Sequence, residues 1–290
     1  MALAKSLKAW EGTLAADVYP IFGSLPVQAI DTALVMKAIE PVWTTKPETA
    51  SRVRGRIESV LDWAVARGYR EGGNPARWRG HLENLLPKKT KVHRVEHHAA
   101  LPYPEIGAFM AELRRQEGVA AQALEFAILT ATRTGEVIGA PSSTSAIGCG
   151  RIPAERMKVG KEHRVPLSNA ALTIVERMAE IRSGEFVFPG GKAGRPLSNM
   201  AFLMLLRRLG RDDLTVHGFR SSFRDWAAER TGFPAEVAEM ALAHAVSDKV
   251  EAAYRHGEAW AKFCAAAPDA DKIVPIRMLY SFVNNVTVGS

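Results

Sequence analysis

The chain has 290 residues, 47% hydrophobic and 24% charged, enough for two ordinary cores. No apolar run approaches the roughly 20 residues that span a bilayer. The opening MALAKSLKAWEGTL has no signal core, and the distant Cys149 and Cys264 make neither a disulfide framework nor a zinc pattern, so a cytoplasmic protein is expected. The net charge of +7 is uneven: from Ser51 to Arg94 eleven Lys and Arg face four Asp and Glu, so this segment alone carries +7 and the rest sums to zero. Such a concentration is a candidate nucleic-acid surface, or equally a solvated basic helix face.

Residues 7–85 read as helix, interrupted at PIFGSLPVQAID by a Pro- and Gly-punctuated connection. In SRVRGRIESVLDWAVARG, Val53, Ile57, Val60, Leu61 and Ala64 recur at helical spacing, and Arg52, Arg54 and Arg56 lie off that stripe. A small helical bundle over residues 1–86 with one basic side is expected. PKKTKVHRVEHHAA lacks apolar periodicity and reads as a linker, 87–100. Its histidines have no carboxylate or cysteine partner at zinc spacing, so no metal site is expected.

A second domain, 101–262, opens with an amphipathic helix in LPYPEIGAFMAELRRQEG and a more buried one in VAAQALEFAILTATRTGE, ending near Gly135. GRIPAERMKVGKEHRVPLS has two extended runs around a polar KVGKE turn, a hairpin signal. Ser168 and Ser198 suit helix N-caps, and the remainder to about Lys262 reads mostly as helix. A tail, 263–290, follows.

Three stretches carry chemistry. In TATRTGEVIGA, Arg133 follows an apolar helix, where burial is costly unless Glu136 pairs with it. In TVHGFRSSFRDWAAER, His217 and Arg220 are three apart at a helix start, and Phe223, Trp226 and Ala227 take the core side. A helix N-terminus with two such donors can hold an oxyanion or phosphate. In ALAHAVSDKVEAAYRHGE, His244 closes one helix and Tyr254 lies on the next. Each stretch taken alone is also consistent with a capped helix, an unliganded ion pair or a packing residue.

Their order is more specific. The words TATRTGE, IPAERMK, VPLS, HGFRSSFRDWA and ALAH…VEAAYR, taken together, resemble the tyrosine recombinase (phage integrase) family, in its prophage and genomic-island branch. The resemblance implies a mainly α protein: a helical core-binding domain, then an α+β catalytic domain of the DNA breaking-rejoining type with a small antiparallel sheet. It implies site-specific cutting and rejoining of DNA, without cofactor or metal, for integration or excision of a mobile element. Tyr254 becomes the nucleophile, Arg133 and Arg220 the phosphate clamp, and His217 and His244 assisting groups. Lys158, with Lys161 as the alternative, becomes the general acid, and Glu136 supports Arg133. Arg52, Arg54, Arg56, Lys88, Lys89 and Lys91 become DNA-backbone contacts. Expected partners are double-stranded attachment sites, a tetramer of protomers on DNA and accessory DNA-bending proteins, with the protein on the nucleoid when bound.

Three departures shape these expectations. No arm-binding domain precedes residue 7, PSSTSAIGCG reads as a loop where the family has a strand beside the lysine hairpin, and the tail is unfamiliar. A DNA-binding remnant with little recombination activity is therefore the alternative. A type IB topoisomerase fits these words less well, and a metal-dependent nuclease would need an acidic cluster that the spacing does not provide.

Overall fold

The computed structural model describes residues 2–87, 99–142, 149–157, 162–181, 184–232 and 235–244. The chain forms two compact units, Met1–Glu96 and His97–Ser290. The described residues are mainly helical, with one two-stranded sheet. None of their helices is long and apolar enough to cross a membrane.

The first unit contains α1 (Ala2–Asp17), α2 (Tyr19–Phe22), α3 (Thr32–Trp43) and α4 (Pro47–Ala66). Asp31 caps α3, its Oδ1 accepting from the Leu34 N–H at 2.9 Å. Val35, Ala38, Ile39 and Trp43 of α3 meet Ala50, Val53, Ile57 and Leu61 of α4 in one core. Val60, expected on that stripe, is 40% exposed, because the buried face centres toward Ala50 and Leu61 and leaves Val60 on its flank.

The expected continuous helix to residue 85 stops at Ala66. Gly68 adopts φ +73°, the Gly68 N–H donates to the Val65 carbonyl and the Tyr69 N–H to the Ala64 carbonyl. This is a Schellman end, and glycine takes its left-handed position without a Cβ penalty. Residues 70–81 then fold back as turns. Buried Asn74 fastens them to α4, donating to the Glu58 carbonyl and to Asp62, and accepting from the Ala76 N–H.

The second unit contains α5 (Ile106–Leu113), α6 (Val119–Thr130), α7 (Thr134–Ile138), β1 (Cys149–Ile152), β2 (His163–Pro166), α8 (Asn169–Ile181), α9 (Ala201–Arg208), α10 (Val216–Arg230) and α11 (Ala235–Ala241). Helix α6 is buried around most of its circumference, as its apolar sequence requires. It ends at Thr130, five residues before the expected Gly135, because Ala131 turns left-handed at φ 49°. Strands β1 and β2 pair antiparallel, Cys149 with Pro166 and Ile152 with His163.

Of the segment 141–150, expected as a loop, residues 143–148 lie outside the described residues, and its two ends are backbone-paired. Pro141 bridges to Phe186, the Ser142 N–H donates to the Glu185 carbonyl at 2.7 Å, and Cys149 and Gly150 already belong to β1. Backbone pairing of this kind needs no favourable side chain, so the poor strand propensity of Ser and Gly is overridden. Ser168 accepts from the Ala171 N–H ahead of α8 as expected. Ser198 instead makes a tight turn with the Met200 N–H, before α9 begins at Ala201. Residues 184–200 are turns with two isolated bridges, Phe186 to Pro141 and Pro189 to Pro196, in place of helix.

Helix α10 runs through the core, with Phe219, Phe223, Trp226 and Ala227 buried and Phe219 packed on Phe109 at 5.0 Å. Thr215 caps it, and the Ser222 hydroxyl donates to the Leu101 carbonyl. A Cβ at Gly218 would strike the Ala99 carbonyl, so glycine lets the chain enter this unit against the first turn of α10.

Candidate active site

Arg133 does not end the buried helix. It is the N-cap of α7, after the left-handed Ala131. Its backbone N–H donates to Glu136 Oε2 at 2.8 Å, and its NH1 to Glu136 Oε1 at 2.9 Å. Glu136 is 8% exposed and Arg133 keeps a wetter side chain. One carboxylate thus holds both the backbone and the guanidinium of Arg133, and the NH2 reaches the Ala243 carbonyl at 3.1 Å.

Arg220 comes from α10, one turn after His217, and is 4% exposed. It donates to the Ala131 carbonyl, to the Leu242 carbonyl at 2.5 Å and to His244 Nε2 at 3.3 Å. Its Nε is buried with no partner among the described residues. Burial, then the neighbouring Arg133 charge, lower its pKa to about 10, so it remains a cation at neutral pH. Glu136 and Glu239 partly offset both effects.

His244 follows α11 in a second Schellman end. The Ala243 N–H donates to the Met240 carbonyl and the His244 N–H to the Glu239 carbonyl, with Ala243 left-handed at φ 49°. His244 Nδ1 lies 2.5 Å from Glu239 Oε2. Arginine can only donate, so Nε2 accepts from Arg220 and the Nδ1 proton faces Glu239. Burial raises the Glu239 pKa, but hydrogen bonds from His244 and Arg224 outweigh it and the net shift is downward. Ala131 and Ala243 are the two non-glycine residues with positive φ among the described residues, and their peptides both embrace Arg220. Left-handed alanine costs roughly 1–2 kcal/mol, so the backbone stores strain at this point.

Arg133, Glu136, Arg220 and His244 therefore meet at one place. His217 is exposed at the second position of α10. Tyr254, Lys158 and Lys161 lie outside the described residues, as do Lys88, Lys89 and Lys91. Arg52 is exposed on α4. Arg54 is drawn inward to Glu58 at 2.5 Å, the Ala76 carbonyl at 2.8 Å and the Trp78 face. Arg56 donates to the Ala9 carbonyl at 2.8 Å and to Thr13, over the Trp10 ring. Both have internal partners that a count of charges does not reveal.

Three neighbours escaped the sequence reading. Arg156, inside the AERMK word, donates to the Gly135 carbonyl at 2.7 Å and to the Gly139 carbonyl, tying the segment before Lys158 to α7. Burial lowers its pKa. His163, at the start of β2, is held neutral down to about pH 4, mainly by burial, with Arg133 and Arg220 adding to the effect against Glu136. Glu239 orients His244 and was visible only as one more helical acid.

A phage integrase central domain matches residues 3–81 and the phage integrase family matches residues 101–259, more than half of the 290-residue chain. Prophage integrase IntZ of Escherichia coli (strain K12) is 34% identical over 239 residues, 79% of this chain and 56% of IntZ. Prophage integrase IntA of the same organism is 29% identical over 252 residues, 85% of this chain and 59% of IntA. The chain thus spans less than two thirds of the length of these relatives. The lambda integrase dimer bound to a COC′ core site superposes with a TM-score of 0.63 at 18% identity, covering 87% of this chain and 88% of that one. The lambda integrase tetramer bound to a Holliday junction gives 0.63 at 17%, covering 84% and 73%. At such identity the likeness establishes the fold alone, a mainly α integrase fold. The two family matches go further, and the chain belongs to the phage integrase family.

Proposed function

We propose that the chain is a site-specific tyrosine recombinase that cuts and rejoins double-stranded DNA at attachment sites of a mobile element. The observation that carries this reading is the convergence of Arg133, Arg220 and His244 with their carboxylate supports, Glu136 and Glu239. Two guanidinium groups suit two non-bridging phosphate oxygens, and charge developing there in the transition state falls within their field.

In this scheme the Tyr254 oxygen attacks the scissile phosphorus as its proton passes to His217. The phosphorus–O5′ bond breaks, leaving a 3′-phosphotyrosine and a 5′-hydroxyl protonated by Lys158. His244 steadies the phosphate, and its tautomer is set by Glu239. A tyrosine of ordinary pKa near 10 is a weak nucleophile at neutral pH, so the cationic pocket supplies the missing activation. The phosphodiester energy stays in the covalent link, and a second 5′-hydroxyl reverses the step without ATP.

The helical first unit is assigned as the core-binding domain and the second as the catalytic domain, acting as a tetramer on DNA with accessory bending proteins in the cytoplasm. The test is a nicked suicide duplex carrying the attachment core, incubated in EDTA. A covalent protein–DNA adduct is expected, and Arg220→Ala should reduce its formation at least 100-fold, as loss of a transition-state donor does. An adduct that forms equally fast without Arg220 would overturn the clamp.

A further inference from the structure

The second unit contains a cation to which the proposed reaction gives no part. Arg156 closes a single 3₁₀ turn, Ala154–Arg156, between the two strands. Its NH2 donates to the Gly135 carbonyl at 2.7 Å and to the Glu136 carbonyl at 3.5 Å, and its NH1 to the Gly139 carbonyl. All three carbonyls belong to α7 and its C-terminal cap, and Arg133 is the N-cap of that same short helix. Gly139 is matched to this contact. A Cβ there would overlap Arg156 NH2 and stand 2.6 Å from its Cζ, and the three nearest atoms it would meet all belong to Arg156. The φ of Gly139 is −96°, which any residue adopts, so the backbone does not call for glycine and the guanidinium does.

The clip sits at a telling place along the chain. The Arg156 N–H donates to the Pro153 carbonyl at 3.0 Å and the Met157 N–H to the Ala154 carbonyl at 3.1 Å, which closes the turn. Met157 then returns to extended backbone and is 7% exposed in the core of the second unit. The chain is thus fastened to α7 by one side chain and to the core by the next, and Lys158 follows immediately. Helix α7 in turn presents Arg133, held by Glu136. A guanidinium fork can serve several carbonyls in fixed directions at once. Arg156 is otherwise exposed, so its loss leaves the core packing in place.

We propose that Arg156 is a positioning residue for leaving-group protonation: it locks the segment that leads into Lys158 to the helix that presents Arg133, so the proton is delivered where the phosphate is clamped. The proposal rests on the reading that Tyr254 attacks the phosphorus while Lys158 gives a proton to the departing 5′-oxygen. Arg156 itself transfers no proton. A general acid acts only within hydrogen-bond reach, and a displacement of about 1 Å can cost roughly 100-fold in rate. The test uses the nicked suicide duplex in two forms, one with the ordinary 5′-oxygen at the scissile bond and one with sulfur in its place. A thiol has a pKa of roughly 8.5, so sulfur departs as a thiolate and needs no acid. Initial rates of adduct formation are measured on both duplexes for the wild type, Arg156→Ala, Gly139→Ala, Lys158→Ala and the Arg156→Ala/Lys158→Ala pair.

On the oxygen duplex, Arg156→Ala should slow adduct formation by about 10–100-fold. Gly139→Ala displaces the guanidinium without removing it and should slow the reaction comparably. On the sulfur duplex both losses should shrink to within about threefold of the wild type. Removing Arg156 from the Lys158→Ala variant should cost nothing further, because two residues that act through one proton are not additive. Equal losses on the two duplexes would make Arg156 a structural residue and overturn the proposal. A Gly139→Ala variant as fast as the wild type, or a further loss of about tenfold in the pair, would overturn it too. Each of these results leaves the recombinase reading intact, because the wild type still forms the adduct. A wild type that forms no adduct with either duplex would sink that reading, and this proposal with it.

Discussion

Replacing Glu136 by Gln isolates what its charge does for the arginine pair. Glu136 is 8% exposed and accepts from the Arg133 backbone at 2.8 Å and from its guanidinium at 2.9 Å. Gln keeps a neutral acceptor for one of these. It loses the charge-assisted bond, about 1.5–3 kcal/mol, and leaves Arg133, Arg156 and the buried Arg220 without a shared counter-charge. A total of about 2–4 kcal/mol is expected. Glu136→Ala removes the cap as well and should cost about 1 kcal/mol more. For a unit of this size each kcal/mol moves the melting temperature by about 2–4 °C, so the Gln variant should melt several degrees lower. Urea unfolding followed by amide exchange in α10 assigns the loss to the second unit. A Gln variant within about 0.5 kcal/mol of the wild type would refute the view that Glu136 holds the cluster together.

Other outcomes follow from neighbouring residues. Ala131→Gly and Ala243→Gly relieve left-handed strain and should each stabilise the second unit by about 1 kcal/mol in urea titrations; destabilisation would show that the methyl groups pack usefully. His163 is neutral in the fold down to about pH 4, below its ordinary 6.5, so the unfolded chain binds the extra proton first. Stability should therefore be complete above about pH 6.5 and fall between there and pH 4, by an amount on the order of 3 kcal/mol, and His163→Gln should flatten that fall. Glu239→Gln weakens the acceptor that fixes the His244 tautomer. Adduct formation should slow about tenfold, roughly 1.4 kcal/mol, with duplex affinity unchanged; a pure affinity loss would assign Glu239 a structural role.

The helical character was legible because apolar residues at α3, α4 and α10 recur at helical spacing, and the motif words pointed to the family. What escaped depends on contacts between residues distant in sequence or on backbone geometry. The reading of residues 7–85 as helix gives too little weight to the Gly- and Pro-rich stretch 67–81, where Gly68 ends α4 in a left-handed conformation and the Asn74 side chain redirects the chain. Arg54 and Arg56 look like surface cations until the Ala76 and Ala9 carbonyls are placed beside them. Arg133 was expected at a helix end and instead begins the next helix, because Ala131 adopts a conformation that alanine rarely takes. Arg156, His163 and Glu239 gain meaning from neighbours distant along the chain or beyond a helix end, Gly135 for Arg156, Arg220 for His163 and His244 for Glu239; spacing along the chain carries no trace of these encounters.

The most direct measurement of the central claim is the identity of the residue joined to DNA. After trapping on the nicked duplex, nuclease trimming and proteolysis, mass spectrometry should find a 3′-phosphonucleotide on Tyr254, and Tyr254→Phe should yield no adduct. A nucleotide on any other side chain, or an adduct that survives in Tyr254→Phe, would contradict the account.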